Sequence, residues 1–416
     1  MAAAVPSRKE CLELDQVDPL AGQREAFTLP TDVIYLDGNS LGALPRTVPE
    51  RLTTVAAAEW GQDLIGSWNR HGWIDLPLKL GDKIARLIGA QPGEVAVTDS
   101  TSINLFKSLC AALEINPERK VILSEAGNFP TDLYIAQGLI KALGRHHELR
   151  TVPAADIAAA VDRDTAAVLL TQVNYRSGAL HDLAAVTRAA HEAGALMIWD
   201  LAHSAGALPV DLNGAEADFA VGCGYKYLNG GPGAPAFIFV AQRHQARFSN
   251  PLSGWLGHAA PFAFEPEYRP AAGIARVLTG TPPILALAAL EAGLDTVLAA
   301  DMTAIRAKSM ALGDLFIRMV ELAGGDGSGL TLASPRDARQ RGSQVSFRHH
   351  DGYPVVQALI ARGVIGDFRA PDILRFGFAP LYVRYVDAWD AATALIDVVT
   401  TRAWDRPEFK HRAPVT

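Results

Sequence analysis

Cysteine is scarce. The 416 residues hold three, Cys11, Cys110 and Cys223, widely dispersed and without a CxxC or Cys/His spacing, which excludes a zinc centre of the usual kinds. Cys110 falls on an apolar helical pattern and Cys223 in a short apolar run, so both read as small core residues. Basic blocks are also missing, and the net charge is −7, which argues against nucleic acid or an anionic membrane as the main partner. No apolar run approaches the ~20 residues of a membrane span. The N-terminal MAAAVPSRKECLELD turns acidic too early for a secretory signal, so a cytoplasmic location is expected. No G-x-G-x-x-G follows a strand pattern, which removes a nicotinamide dehydrogenase. Internal repeats and low-complexity tracts are absent. Two histidine pairs, His146-His147 and His349-His350, lie in polar surroundings and read as surface residues rather than metal ligands.

What is present is a large apolar core. Hydrophobic residues make up 49% of the chain and charged ones 20%, and the length suggests two to three domains at ~100–200 residues each. Short apolar runs alternate with helical periodicity: EVAV then INLFKSLCAALEI, VILS then a helix to Ile140, AAVLLT then a helix from His181 to Gly194. Strand–loop–helix units in series predict a mainly parallel, doubly wound α/β sheet. Helices are also expected at Cys11–Ala26, Pro49–Gln62 and Pro77–Gly89. Residues 250–283 break the pattern with Gly, Pro and aromatic residues, as functional or interfacial loops do. Two long helices follow, Ile284–Leu298 and Asp301–Ala323. Residues 340–400 read as a second, smaller α/β unit.

The informative centre is 195–233, ALMIWDLAHSAGALPVDLNGAEADFAVGCGYKYLNGGPG. One apolar run stops at Asp200, and a second leads into Tyr225-Lys226-Tyr227 and a Gly-rich turn. Both charges fall at C-terminal strand ends, where open α/β sheets place their sites. A buried carboxylate and a buried lysine each need a partner. Pyridoxal phosphate (PLP) would supply both, through its protonated ring nitrogen and its aldehyde. An ordinary ion pair at the sheet edge accounts for the two residues equally well. Elsewhere, the hydroxyl-rich Thr98–Ser102 precedes a helix, a geometry that offers free N–H groups to an anion, although simple N-capping needs the same residues. GNFPTD presents Phe129 and Asp132. VIYLDGNSLG is a strand and turn, and GSWNRHGW puts Trp68 and Trp73 in a polar loop. Arg375 lies among apolar neighbours, as a fork for a carboxylate or as an arginine snorkelling off a strand.

Taken in order, LDGNSLG, TDSTSINLF, NFPTDLY, DLAHSAGALPVDL, GYKYLNGGPG, SGWLGH, GTPP and RFGF resemble the kynureninases, above all the bacterial ones, within class V of the fold-type I PLP-dependent enzymes. The resemblance covers nearly the whole chain. It implies hydrolytic Cβ–Cγ cleavage of L-kynurenine to anthranilate and L-alanine, with 3-hydroxykynurenine as a further substrate to consider. It also implies a fold-type I architecture: an arm over 1–45 packing with the small domain, a large PLP-binding domain over 46–285, and a small C-terminal domain over 286–416. Lys226 would be the Schiff-base lysine and Asp200 the partner of the pyridinium nitrogen. Phe129 would lie against the ring, and Thr101, Ser102 and Tyr225 would contact the phosphate. Pro130, Thr131, Asp132, Thr171 and His203 would complete the cofactor site. Trp255 and Thr281 would cross from the partner subunit of a homodimer. Arg375 would bind the substrate carboxylate, with Trp68, Asn39, Ser40 and Thr281 around the substrate. Tyr225 is the candidate proton relay. No metal is implied. The alternatives are another class V enzyme, an aminotransferase or a cysteine desulfurase-like lyase. A desulfurase needs a reactive cysteine on a mobile loop, and none of the three suits that.

Overall fold

The computed structural model describes residues 5–144, 147–324 and 328–412. Its centre is a seven-stranded sheet. From edge to edge the strands are Val95–Val97, Phe237–Val240, Phe219–Gly222, Leu196–Asp200, Thr165–Thr171, Val121–Glu125 and Glu148–Val152. Six run parallel, and Phe237–Val240 is antiparallel to both its neighbours. The sheet is buried on both faces. Leu123, Val168, Leu170, Met197 and Trp199 enter one apolar cluster, whereas Ile122, Ala167, Leu169, Leu196 and Ile198 enter another. That alternation follows from the period of two along a strand, and burial on both faces explains why these strands read as continuous apolar runs. Each of the Val, Leu, Ile and Met side chains among them contributes ~1.5–3 kcal/mol of transfer free energy.

The helices follow local rules. Ser100 caps Thr101–Ile115, its hydroxyl accepting from Ile103 N–H at 3.4 Å. Pro130 opens Pro130–Leu143, and Gly144 ends it at φ 58°, a left-handed stop that costs glycine little. Asp182 caps Leu183–Glu192. The helix expected over Pro49–Gln62 begins as Val48–Thr54 and widens into a π-helical turn at Val55–Trp60. The helix expected over Cys11–Ala26 is Arg8–Val17 followed by a 3₁₀ turn at Ala21–Ala26. The edge strand Glu148–Val152 escapes the pattern reading because it is half-exposed and polar, ELRTV.

The smaller unit is an antiparallel sheet, ordered Thr331–Leu332, Gln344–Arg348, Ile373–Gly377, Asp367–Arg369. The helices Met302–Gly324 and Tyr385–Thr400 pack together beside it. The N-terminal arm joins this unit: Arg8 Nε donates to Asp390 at 2.8 Å, Tyr385 N–H donates to Asp15 at 2.6 Å, and Ile34–Tyr35 pairs in parallel with Val364–Ile365. Ile284–Leu298 packs on Val48–Thr54 and Leu76–Ala85, beside the large sheet. We therefore propose the expected two-unit division with its boundary after this helix, near residue 300, rather than at 285–286.

The surface reading of the histidine pairs needs correction. His349 is buried, edge-on to Trp404 at a centroid distance of 5.7 Å, while His350 is exposed. Adjacent residues on an extended segment point to opposite sides, so one of the two enters the core. His146 lies outside the described residues.

Candidate active site

The C-terminal ends of the parallel strands converge on a cavity of about 280 Å³. Thr171 and Asp200 are the last residues of their strands. Thr101 and Ser102 open the helix after Val95–Val97. Phe129, Thr131 and Asp132 follow Val121–Glu125, and Tyr225 and Lys226 follow Phe219–Gly222. His203, Tyr175 and Ala202 complete the lining. Side chains separated by more than a hundred positions in the chain meet because each unit returns to the same sheet edge.

Two carboxyls are buried here with little to offset them. Asp132 and Asp200 are each 2% exposed. Burial, and then the neighbouring Asp200, hold the Asp132 carboxyl well above the usual carboxylate range. Burial also raises Asp200, against the opposing pull of Lys226 and of the Ala202 N–H, which donates to Oδ1 at 2.7 Å. No ion pair joins Asp200 to Lys226 among the described residues; Lys226 Nζ lies 2.9 Å from His203 Nε2, which removes the reading of the two as an ordinary ion pair. His203 Nε2 also meets the Asn39 carbonyl at 3.1 Å, and burial, followed by Lys226, drives this ring well below its ordinary value. Its Nδ1 is buried without a partner. Asp200 is buried with no side-chain ion pair among the described residues, so a cation placed beside it would be stabilised. A protonated ring nitrogen is such a cation, the N–H groups at the start of Thr101–Ile115 suit a phosphate, and Phe129 offers a flat apolar face. The residues present fit PLP.

The surrounding shell includes residues that sequence reasoning missed. Asn128 is buried; its Oδ1 accepts from Phe129 N–H at 2.8 Å and from the Thr171 hydroxyl. Thr171 reaches Asp132 at 3.3 Å, so Asn128 orients both. Tyr175 stands edge-on to Phe129 at 5.2 Å. Asn128 sits inside the quoted NFPTDLY motif, but nothing local distinguishes it from a turn residue. Gly42 ties the N-terminal loop to the lysine turn: its N–H donates to Tyr225 O at 2.8 Å, and a Cβ there would lie 2.4 Å from Lys226 O.

Several expected site residues lie elsewhere. Pro130, Trp68, Asn39, Ser40 and Arg375 do not line this cavity. Pro130 serves as the first residue of its helix. Trp68 packs edge-on to Trp73 at 5.9 Å. Asn39 is fully buried and reaches the site through its carbonyl. Arg375 is no surface arginine, being 2% exposed. Its Nε donates to Asp367 Oδ1 at 2.8 Å, its Nη2 to Asp367 Oδ2 and to Ser40 Oγ, and its Nη1 to the carbonyl of Tyr175, a cavity residue, at 2.7 Å. Arg369, unremarked in the sequence, shares Asp367 at 2.7 Å. Trp255 and Thr281 are exposed and stand apart from the lining.

The family model for the kynureninase C-terminal domain matches residues 305–395, and that for the DegT/DnrJ/EryC1/StrS aminotransferase family matches 72–219. The chain is 59% identical to a kynureninase of Burkholderia pseudomallei (strain 1106a) and 54% identical to one of Pseudomonas fluorescens, each over 99% of this chain and 100% of the relative. Among solved structures, the apo cysteine desulfurase of Thermococcus onnurineus NA1 superposes with a TM-score of 0.76 at 19% identity, covering 91% of this chain and 98% of that one. The cysteine desulfurase CsdA of Escherichia coli gives 0.74 at 20%, covering 92% and 98%. At that identity the likeness concerns the fold, which is fold type I.

Proposed function

The chain belongs to the kynureninase family, and on that premise we propose how its residues carry out the family's reaction. It is a PLP-dependent hydrolase that cleaves the Cβ–Cγ bond of L-kynurenine to give anthranilate and L-alanine. The observation that carries the assignment of roles is the single cavity holding Asp200, Asp132, His203 and Lys226, with a cation wanting beside Asp200. The buried cysteines support this reading over a desulfurase: burial lifts the Cys11 thiol to about 11 and Cys110 to about 12, and it raises Cys223. None is an exposed, low-pKa nucleophile.

Bound PLP supplies an aldehyde for an amine and an electron-withdrawing ring for a developing carbanion. Lys226 is the amine that anchors it. As a free amine, Lys226 would be the group that moves the substrate's Cα proton. Asp200 keeps the ring nitrogen protonated, because a negative partner raises that nitrogen's pKa. Thr101, Ser102 and the helix N-terminus hold the phosphate, and Phe129 lies against the ring. Asp132, Thr171 and His203 hold the ring's edge. Tyr225, next to the Cys223 thiol and half-buried, is pushed above the ordinary tyrosine range. It therefore retains its proton at neutral pH and acts as a proton donor toward Cβ, not as the base that activates water. Arg375 and Ser40, behind the cavity wall at Tyr175, face the substrate α-carboxylate; Asn39 reaches the site through its carbonyl, and Trp68, outside this subunit's cavity, borders the aryl group only in the dimer.

The functional unit is a homodimer. Trp255, 38% exposed, and Thr281 are then available to a neighbouring subunit's site. Apolar residues exposed at Trp60, Leu64, Ile65 and Leu285 support such a contact. Among the described residues no helix is long and apolar enough to cross a membrane; a cytoplasmic location is part of this proposal. The residues that the resemblance puts at the aryl ring, Trp68 and Thr281, favour L-kynurenine over its 3-hydroxy derivative as the substrate to test first. Incubation of the purified protein with each, following anthranilate or its hydroxylated counterpart together with L-alanine, tests both statements. Equal kcat/KM for the two sinks the preference; release of sulfide or pyruvate instead sinks the activity.

A further inference from the structure

One half-buried carboxyl near the substrate pocket has no task in this scheme. Asp37 lies in the LDGNSLG loop, where its carbonyl accepts from Ser40 N–H at 2.9 Å and from Leu41 N–H at 3.1 Å. A backbone bridge to Gly377 fixes it against the strand that carries Arg375. Its Oδ1 is buried and accepts no hydrogen bond. The titratable and charged groups that face it are Tyr35 from its own strand, Tyr227 from the lysine turn, Tyr382, and the trio Asp367, Arg369 and Arg375 from the antiparallel sheet. Tyr382 is itself buried beside it.

The arithmetic of charge matters here. Arg369 and Arg375 share one carboxylate, Asp367, with Ser40 Oγ bridging the three. With Asp37 neutral the cluster keeps one positive charge for an incoming carboxylate; with Asp37 ionised it keeps none. Burial, and then Asp367, lift the Asp37 carboxyl to about 7.

We propose that Asp37 is a positioning residue that sets the net charge of the pocket for the substrate α-carboxylate: protonated, it leaves the two arginines to the substrate, and ionised, it competes for them. This rests on the reading of Arg375 as the carboxylate contact. A second carboxylate beside Asp37 disfavours its ionisation. By reciprocity, protonation of Asp37 tightens binding by the same factor as binding tightens the proton.

The test uses the holoenzyme. KM for L-kynurenine is measured from about pH 6 to about pH 8.5 in the wild type and in Asp37→Asn, and proton uptake on binding L-alanine is measured by calorimetry in buffers of different ionisation heat. For a single linked group the wild-type KM climbs by up to ~10-fold per pH unit above neutrality. Asp37→Asn flattens that climb and takes up fewer protons, by up to about one per site. Equal slopes in the two proteins, or wild-type uptake near zero at neutral pH, overturn the inference; the latter reading needs no variant. Asp37→Ser replaces Asp37→Asn if the amide fails to fold. Arg375→Lys separates the two layers. If it leaves KM unchanged, the carboxylate reading fails. If it raises KM at least ~10-fold, as loss of a charge-assisted contact does, while Asp37→Asn tracks the wild type, only the role of Asp37 fails.

Discussion

The two ends of the substrate's path are built on opposite electrostatic plans. At the cofactor end, Asp132 and Asp200 are buried acids held above their usual range, with Lys226 turned toward a neutral His203. At the carboxylate end, Asp367 is held below its usual range despite burial, because Arg375 and Arg369 grip it. The first is a site short of a cation, and its missing charge must arrive with a bound group. The second is nearly balanced within the chain, and its binding power is a residual. An unbalanced buried charge costs stability until its partner arrives, whereas a balanced cluster costs little but binds through a margin that small changes can erase.

The largest effect that would break this contrast is at the lysine. Lys226→Ala is expected to lower anthranilate release by roughly 10⁴-fold, the upper range for a residue that moves a proton, and to leave no cofactor attached after borohydride reduction. Full turnover would remove the cofactor end as the seat of chemistry. Next comes Asp367→Asn, which strands Arg375 in the core and should cost ~3–5 kcal/mol in urea unfolding. The sign with pH is definite. Asp367 has a depressed folded pKa, so its contribution is complete above the unfolded carboxylate value of ~3.9 and fades as pH falls through the folded one. A loss below ~1 kcal/mol at neutral pH would mean that the cluster is not balanced as described. The smallest effect sharpens the contrast. Asp132→Asn removes a carboxyl whose folded pKa is raised, and raised acids weaken the fold as pH rises above the unfolded value. The apo variant should therefore be more stable by ~0.5–2 kcal/mol at neutral pH, a gain that vanishes near pH 4, while its turnover falls. A less stable apo variant would place Asp132 among ordinary structural acids.

Where the amino-acid order carries a physical signature, it can be read directly. Strands buried on both faces appear as apolar runs, so Val121–Glu125, Thr165–Thr171 and Leu196–Asp200 stand out, and with them the charged residues at their ends. The helix Ile284–Leu298 is bounded as its periodicity predicts. Asp200, Lys226, Thr101, Ser102, Phe129 and Asp132 were legible for that reason, and all of them line the cavity. The half-exposed edge strand Glu148–Val152 carries no such run and was missed.

By itself, then, the sequence determined the parallel layering, the ends of the strands and the identity of the groups placed there, because burial and periodicity are local properties of a segment. It also determined, through ordered motifs along nearly the whole chain, the family. Only the tertiary structure decided which of those groups face one another. The pairing of Lys226 with His203, the grip of Asn128 on Thr171, and the meeting of Asp37 and Ser40 with Asp367, Arg369 and Arg375 join segments up to more than three hundred residues apart. Distance along the chain leaves no trace of such contacts, since the first two arise where neighbouring strand ends of the large sheet meet and the last where the N-terminal loop packs against the smaller sheet. The charge balance they create, and with it the state of Asp37, exists only once that packing is complete.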